Sequence, residues 1–171
     1  MKRKPIVAIV GRPNVGKSTF VNRLVGHRKS IVDDMPGVTR DRIYFDVEWQ
    51  NKWFTVIDTG GIIPNDEDEI MVSIYDQAQI ACEEAEKIVF IVDGKDGVTP
   101  VDEDIANILR QSKKPVFLAV NKVDSPAQAL YTSEFYSLAL GDPIGISALH
   151  GSGGVGDLLE ILTEDFEADD E

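Results

Sequence analysis

Gly11-Arg12-Pro13-Asn14-Val15-Gly16-Lys17-Ser18-Thr19 is the stretch on which the reading of this chain turns. It follows an apolar run, Ile6-Val7-Ala8-Ile9-Val10, and opens onto an amphipathic one, Phe20-Val21-Asn22-Arg23-Leu24-Val25. Strand, glycine-rich loop and helix in that order make a phosphate-binding P-loop. Gly11 and Gly16 let the backbone turn tightly, so that successive N–H groups converge on one anion, and the helix adds the positive end of its dipole. Lys17 supplies a point charge to the outer phosphates, and the Ser18 hydroxyl is a ligand for Mg²⁺. All nine residues are therefore assigned to nucleotide binding.

Four further segments fall downstream of the P-loop. Asp58-Thr59-Gly60-Gly61-Ile62 ends an apolar run. A carboxylate there, above the phosphate site, holds the metal through water, and Gly60 offers its backbone N–H to a terminal phosphate. Asn121-Lys122-Val123-Asp124 follows Pro115-Val116-Phe117-Leu118-Ala119-Val120, again at the C-terminal edge of a strand. Asp124 is suited to accept two hydrogen bonds from the ring N–H and exocyclic amine of guanine. Adenine lacks that donor edge and would leave the carboxylate unsatisfied, a penalty that discriminates by about 10⁴-fold or more. The Lys122 stem can lie over the purine face, and Asn121 can tie the segment to the P-loop. Ser147-Ala148-Leu149 closes the last strand, where a backbone N–H can meet the guanine carbonyl oxygen. Thr39, in Pro36-Gly37-Val38-Thr39-Arg40-Asp41, offers a hydroxyl to the Mg²⁺ shell when the γ-phosphate is present, ordering its loop and releasing it after hydrolysis.

Short apolar runs alternate with helical patterns, which gives an α/β fold with a mostly parallel sheet covered on both faces. Strands are predicted at about 5–10, 43–49, 53–57, 87–93, 115–120 and 143–147. Helices are predicted at about 17–26, 72–85, 101–111, 127–138 and 154–166. The link between the second and third strands, Gln50-Asn51-Lys52, is too short for a crossover helix, so that pair is an antiparallel hairpin.

With 171 residues and 43% hydrophobic composition, the chain has material for one domain with a proper core. No apolar run reaches the roughly 18 residues of a membrane span, and no membrane partner is expected. The net charge of −13 repels phosphate backbones, so direct nucleic-acid binding by this acidic domain is not expected. A lone cysteine, Cys82, fits a reducing cytoplasm and lies in a helical pattern, where it packs. Six of the last eight residues, Glu164 to Glu171, are acidic. The domain is accordingly drawn as 1–163, with 164–171 as a solvated tail that begins a linker to another domain.

Five elements in this order are what small GTP-binding domains carry. The chain resembles the translation-factor-related branch of P-loop GTPases, and within it the first GTPase domain of the bacterial Der (EngA) proteins. GRPNVGKST, PGVTRDR, DTGGI, NKVD and the SALHGSGGVGDLL ending carry that likeness over nearly the whole chain. The resemblance implies a P-loop GTPase fold: a six-stranded, mostly parallel sheet with one antiparallel hairpin strand. It implies GTP and GDP as ligands, Mg²⁺ as cofactor, and hydrolysis to GDP and phosphate. It also implies a role in large-subunit ribosome assembly, exerted by a longer protein with two such domains and a KH-like domain.

Many GTPases place a water-orienting glutamine directly after the counterpart of Asp58-Thr59-Gly60-Gly61; here that position is Ile62, which cannot hydrogen-bond water. Related GTPases with a hydrophobic residue there use an asparagine at the position of Asn14 to hold K⁺ beside the phosphates. K⁺ at Asn14 is therefore an expectation from the resemblance, and Lys17, Thr39, Gly60 and Asn14 are the candidate catalytic set. Arg12 and Arg40 read as residues that face solvent or position loops, and His27 and His150 receive no role. Two alternatives stand beside a GTPase switch. One is a P-loop phosphotransferase, for which the chain lacks an arginine-rich lid. The other is a non-catalytic guanine-nucleotide module, against which Lys17, Ser18, Thr39 and Asp58 are all present.

Overall fold

Ile6–Val10 forms strand β1, and it is apolar at every position because it has an apolar layer on each side. Val7 and Ile9 point into one core, Ala8 and Val10 into the other. This is the double-sided burial that a central parallel strand requires. The computed structural model describes residues 4–12, 14–25, 28–31, 43–58, 67–123, 126–148 and 154–168. In chain order β1 is followed by α1 (Lys17–Val25), β2 (Arg28–Ile31), β3 (Ile43–Trp49), β4 (Lys52–Asp58) and α2 (Glu67–Glu84). Then come β5 (Lys87–Asp93), α3 (Pro100–Ser112), β6 (Val116–Asn121), a 3₁₀ segment (Pro126–Leu138), β7 (Ile144–Gly145) and α4 (Val155–Thr163).

The six expected strands are all present and form one sheet, mostly parallel, with helices on both faces. Among the described residues β2 adds a seventh strand at one edge, and the order is β2-β3-β4-β1-β5-β6-β7. Arg28-Lys29-Ser30-Ile31 shows no apolar alternation, so its sequence alone does not predict β2. It is a four-residue edge strand, held antiparallel to β3 by backbone pairing with a register shift between Arg28 and Ser30. β3 and β4 form the antiparallel hairpin, with Trp49 paired to Lys52. Its turn is therefore two residues long, and Gln50 and Asn51 both take positive φ, +48° and +68°. That is the mirror-image turn whose twist suits a hairpin. The helix expected at 127–138 is there as a 3₁₀ segment.

On one face α1 and α4 bring Phe20, Leu24, Leu158 and Leu162 against Val7, Ile9, Val89 and Ile91. On the other, α2, α3 and the 3₁₀ segment bring Ala78, Ile105, Leu109 and Phe135 against Ala8, Val10, Phe90 and Val92. All seven residues of β5 are buried. α3 opens with a complete capping box: the Thr99 side chain accepts from Asp102 N–H, Asp102 accepts from Thr99 N–H, and Pro100 starts the first turn. Cys82 is half-buried against the second core. No helix among the described residues is long and apolar enough to cross a membrane.

The segment after α4 lies against the sheet. The Phe166 ring sits 5.9 Å from Phe54, centroid to centroid, and 4.6 Å from the Lys87 ammonium. Lys87 donates to the Leu162 carbonyl at 2.8 Å and to the Asp165 carboxylate. Lys52 donates to Thr163 O at 2.8 Å, and Lys52 and Ala168 form an isolated antiparallel bridge.

Candidate nucleotide-binding site

Parallel strands that run the same way deliver their C-terminal ends to one edge of the sheet, and polar residues gather there. In register, Asp58 at the end of β4 is paired with Ile9 of β1, and Asp93 at the end of β5 with Asn121 at the end of β6. β1 lies between β4 and β5. The chain reverses its direction of travel across the sheet at this strand, and open α/β sheets bind their ligands in the crevice at such a point.

The P-loop fills that crevice. A Cβ at Gly11 would stand 2.7 Å from the Ile91 carbonyl oxygen, so no side chain fits as the chain leaves β1. Gly16 has φ +97°, and a Cβ there would lie 2.0 Å from Asn121 Nδ2. Glycine is required at 16 both by the left-handed backbone and by the approach of Asn121. Asn14 is exposed at φ +70°. Lys17 and Ser18 start α1, with Ser18 exposed and Thr19 half-buried behind it. The Lys17 ammonium is 3.8 Å from Asp58 Oδ1 and donates to Gln77 Oε1 at 3.4 Å. Burial draws its pKa below the ordinary value, against the opposing pull of Asp58.

Asn121 is the joint of the site. It is buried, donates from Nδ2 to the Val15 carbonyl at 2.9 Å, and accepts at Oδ1 from Ala148 N–H at 3.0 Å. The tie between this segment and the P-loop expected from sequence is thus present, and it extends to the 146–148 segment. Val123 N–H donates to Ile146 O at 3.0 Å, Ser147 is buried, and Arg23 of α1 donates to Ala148 O at 3.2 Å. Lys122, at φ +69°, reaches back over the P-loop to within 3.4 Å of Asn14 O.

Arg12 does not face solvent. Its Nη2 donates to Asp96 at 3.0 Å, and its Nε lies 3.4 Å from Asp102 Oδ1, inside the α3 capping box. Asp102 is fully buried, and burial pushes its carboxyl up against the opposing pulls of Thr99 N–H and Arg12. Arg12 is thereby a brace between the P-loop and α3. Pro13, Thr39, Arg40, Thr59, Gly60, Gly61, Ile62, Asp124 and Leu149 lie outside the described residues, as do His27 and His150.

Gln77, Arg23, Asp93 and Asp102 take part in this network without having been singled out from sequence. Asp93 carried a usable signal. It ends an apolar strand with a polar residue, as Asp58 and Asn121 do. Gln77 and Arg23 carried none, because each is one polar residue among several on an amphipathic helix. In chemical terms the edge offers the start of α1, the half-buried Lys17 ammonium, and hydroxyl and carboxylate oxygens. That set fits a polyphosphate with a hard divalent cation.

Comparison with known proteins agrees with this geometry. The GTPase Der of Clostridium kluyveri is 57% identical over 163 residues, spanning 95% of this chain and 37% of that protein. The GTPase Der of Acetivibrio thermocellus is 57% identical over 171 residues, spanning 98% of this chain and 38% of that one. The chain therefore spans a little over a third of the length of these relatives. A structure of Era in complex with MgGDPNP and nucleotides 1506–1542 of 16S ribosomal RNA superposes with TM-score 0.74. It is 30% identical, and the match covers 100% of this chain and 59% of that one. The cytosolic domain of the Thermotoga maritima FeoB transporter, 20% identical at TM-score 0.67, covers 95% of this chain and 63% of its own, and shares the fold. The family model described as 50S ribosome-binding GTPase matches residues 6–122, from β1 through Lys122. With the P-loop, the Asp58 edge and the Asn121 joint assembled at one end of a P-loop sheet, the chain belongs to the 50S ribosome-binding GTPase family.

Proposed function

We propose that this domain binds guanine nucleotide, hydrolyses GTP to GDP and phosphate, and serves as a switch within a longer Der-like protein of the cytoplasm. The observation that carries the proposal is Asn121, which bonds the phosphate loop through Val15 and the 146–148 segment through Ala148. One side chain thereby joins the segment we assign to the phosphates with the segment we assign to the base. Lys17 meets the outer phosphates, exchanging Asp58 and Gln77 for a richer anion. Ser18, exposed at the start of α1, and the Asp58 carboxylate, 3.8 Å from the Lys17 ammonium, are hard oxygen donors and the residues to hold Mg²⁺, Asp58 through water. Mg²⁺, when bound, neutralises charge on the β- and γ-phosphates. Thr39 and Gly60 are assigned to sensing the γ-phosphate, and Asp124 to reading guanine.

Ile62 leaves the attacking water without a glutamine. We assign the compensating charge to K⁺ at Asn14, whose exposed position at the mouth of the P-loop suits a monovalent ion. By the same reading, residues 1–163 are the GTPase domain and 164–171 begin a linker, whose first part, through Ala168, is docked on the sheet. The Der relatives make the large ribosomal subunit the partner we propose for the longer protein.

The deciding experiment compares GTP with ATP, for binding and turnover, in KCl and in NaCl at matched ionic strength. GTP is expected to bind and turn over, ATP to do neither, and KCl to raise turnover. Asp124→Asn is expected to shift preference from guanine to xanthine nucleotide. Equal handling of GTP and ATP overturns the function; equal turnover in the two salts overturns the K⁺ assignment alone. Asn14→Ala is expected to abolish the K⁺ response while sparing GDP binding.

A further inference from the structure

Asp93 is an ionised group in a place where ions are rarely left without a task. Its residue is 1% exposed, yet both carboxylate oxygens are occupied, each by a different kind of partner. Oδ1 accepts the backbone N–H groups of Lys95 at 2.8 Å and Asp96 at 3.3 Å, which shapes the turn after β5. Oδ2 accepts the Lys122 ammonium at 2.6 Å, a short charge-assisted bond. Burial acts to raise the carboxyl, but the bonds from Lys122, Lys95 and Asp96 outweigh it and hold the group below its ordinary value.

The consequence falls on Lys122. Its backbone is fixed in the left-handed region, and its ammonium is fixed by Asp93 and by the Asn14 carbonyl 3.4 Å away. Its four-carbon stem is therefore held between two anchored ends, at the edge where β5 and β6 finish side by side. A free lysine stem has much rotamer freedom to lose on meeting a ligand, and pre-positioning removes that loss from the binding step.

We propose that Asp93 is a positioning residue of the base pocket: it anchors the Lys122 ammonium so that the stem is held ready to offer its apolar surface to the purine, and it acts on nucleotide binding through Lys122. This rests on the guanine-nucleotide reading given above. The two oxygens separate this role from a structural one, because Asp93→Asn keeps a carbonyl oxygen for the turn and loses the charge that holds Lys122.

The test titrates GDP, ADP and inorganic pyrophosphate into the full chain as wild type, Asp93→Asn, Lys122→Met and the double variant. Thermal midpoints are followed in parallel. Asp93→Asn is expected to weaken GDP about tenfold, the low end for a charge-assisted bond because Lys122 is partly exposed. It is expected to leave pyrophosphate, which has no base, within about twofold, and to add nothing to the loss caused by Lys122→Met. Asp93→Glu is the second variant, keeping the charge but moving it, and it too should lower GDP affinity while sparing pyrophosphate. Equal losses for GDP and pyrophosphate, full additivity with Lys122→Met, or unchanged GDP affinity in both Asp93 variants would each overturn the proposal. A wild type that binds ADP as well as GDP removes the guanine reading beneath it, and is seen before any variant is compared.

Discussion

At neutral pH the Lys17 ammonium sits buried between Asp58 and Gln77, and burial draws its pKa below 10.5. A cation whose folded pKa is lowered is destabilising wherever it is charged, and the burden lifts as pH rises through the folded pKa towards 10.5. Lys17→Met is therefore expected to raise the Tm of the nucleotide-free protein by about 2–4 °C, the shift that ~1 kcal/mol makes in a domain of this size. The same change should abolish nucleotide binding. The gap in stability from wild type should narrow as pH approaches 10.5. Thermal unfolding at pH 7 and pH 10, with GDP titrated in parallel, checks both halves. A Tm that falls at pH 7 would show that Lys17 supports the fold through its two partners. Residues of this kind were legible in the sequence because a phosphate site needs them at fixed spacing. Gln77 was not, since its role depends on where α2 lies above β1, a tertiary fact with no local pattern.

α1 begins inside the P-loop, and α3 is tied to the loop by a side chain, Arg12, which reaches its first turn. Thr99→Ala removes a capping oxygen and is expected to lower stability by about 1 kcal/mol, read as a lower denaturant midpoint at unchanged m. Arg12→Ala acts on the same helix end from the other side, leaving buried Asp102 without its cation. Asp102 already has its pKa raised by burial. A carboxyl of that kind favours the folded state below its unfolded value of 3.8 and loses this contribution as pH rises through the folded pKa. The deficit of Arg12→Ala should therefore be largest near pH 7 and shrink towards pH 4, measured as the difference in unfolding free energy from wild type. A deficit constant over that range would mean that Arg12 contributes by packing alone.

Elements were read from sequence where side-chain period was strong: β1, β5 and β6 as apolar runs, and the hairpin from its short link. β2 was missed because an edge strand is specified by its neighbour's free backbone groups, and those lie in β3. The 3₁₀ character of 126–138 was equally invisible, since apolar spacing does not distinguish a three-residue turn from one of 3.6 residues.

For the molecule as a whole, the informative feature is that its two ends of chemistry are far apart. Lys87 opens β5 and Asp93 closes it, so the Phe166 dock and the nucleotide edge are separated by seven residues of strand, roughly 20 Å. Phe166→Ala is expected to lower stability by about 1–2 kcal/mol, less than for a fully buried phenylalanine because the ring is only partly covered. GDP affinity should be unchanged, as measured by titration below the variant's Tm. A weakened GDP affinity would reveal coupling along the sheet. The acidic count over 164–171 gave no sign of this dock, because one aromatic ring among carboxylates is hidden in a composition average and found only by the hydrophobic pocket it enters.

That dock also decides where mechanical load goes. A pull applied at residue 168 meets the Lys52–Ala168 bridge first, then the Lys87–Asp165 ion pair and the wedged Phe166 ring. All of these are rooted in the opening residues of β4 and β5 or in their hydrophobic neighbour Phe54. The force is shared by the two strands flanking β1 and, through Lys52 and Lys87, by the last turn of α4, at the opposite end of those strands from Asn121. The fold thus has an anchorage like the strain relief fitted to a cable: the contacts of Phe166 and Ala168 lie at one end of β4 and β5, and the nucleotide edge at the other.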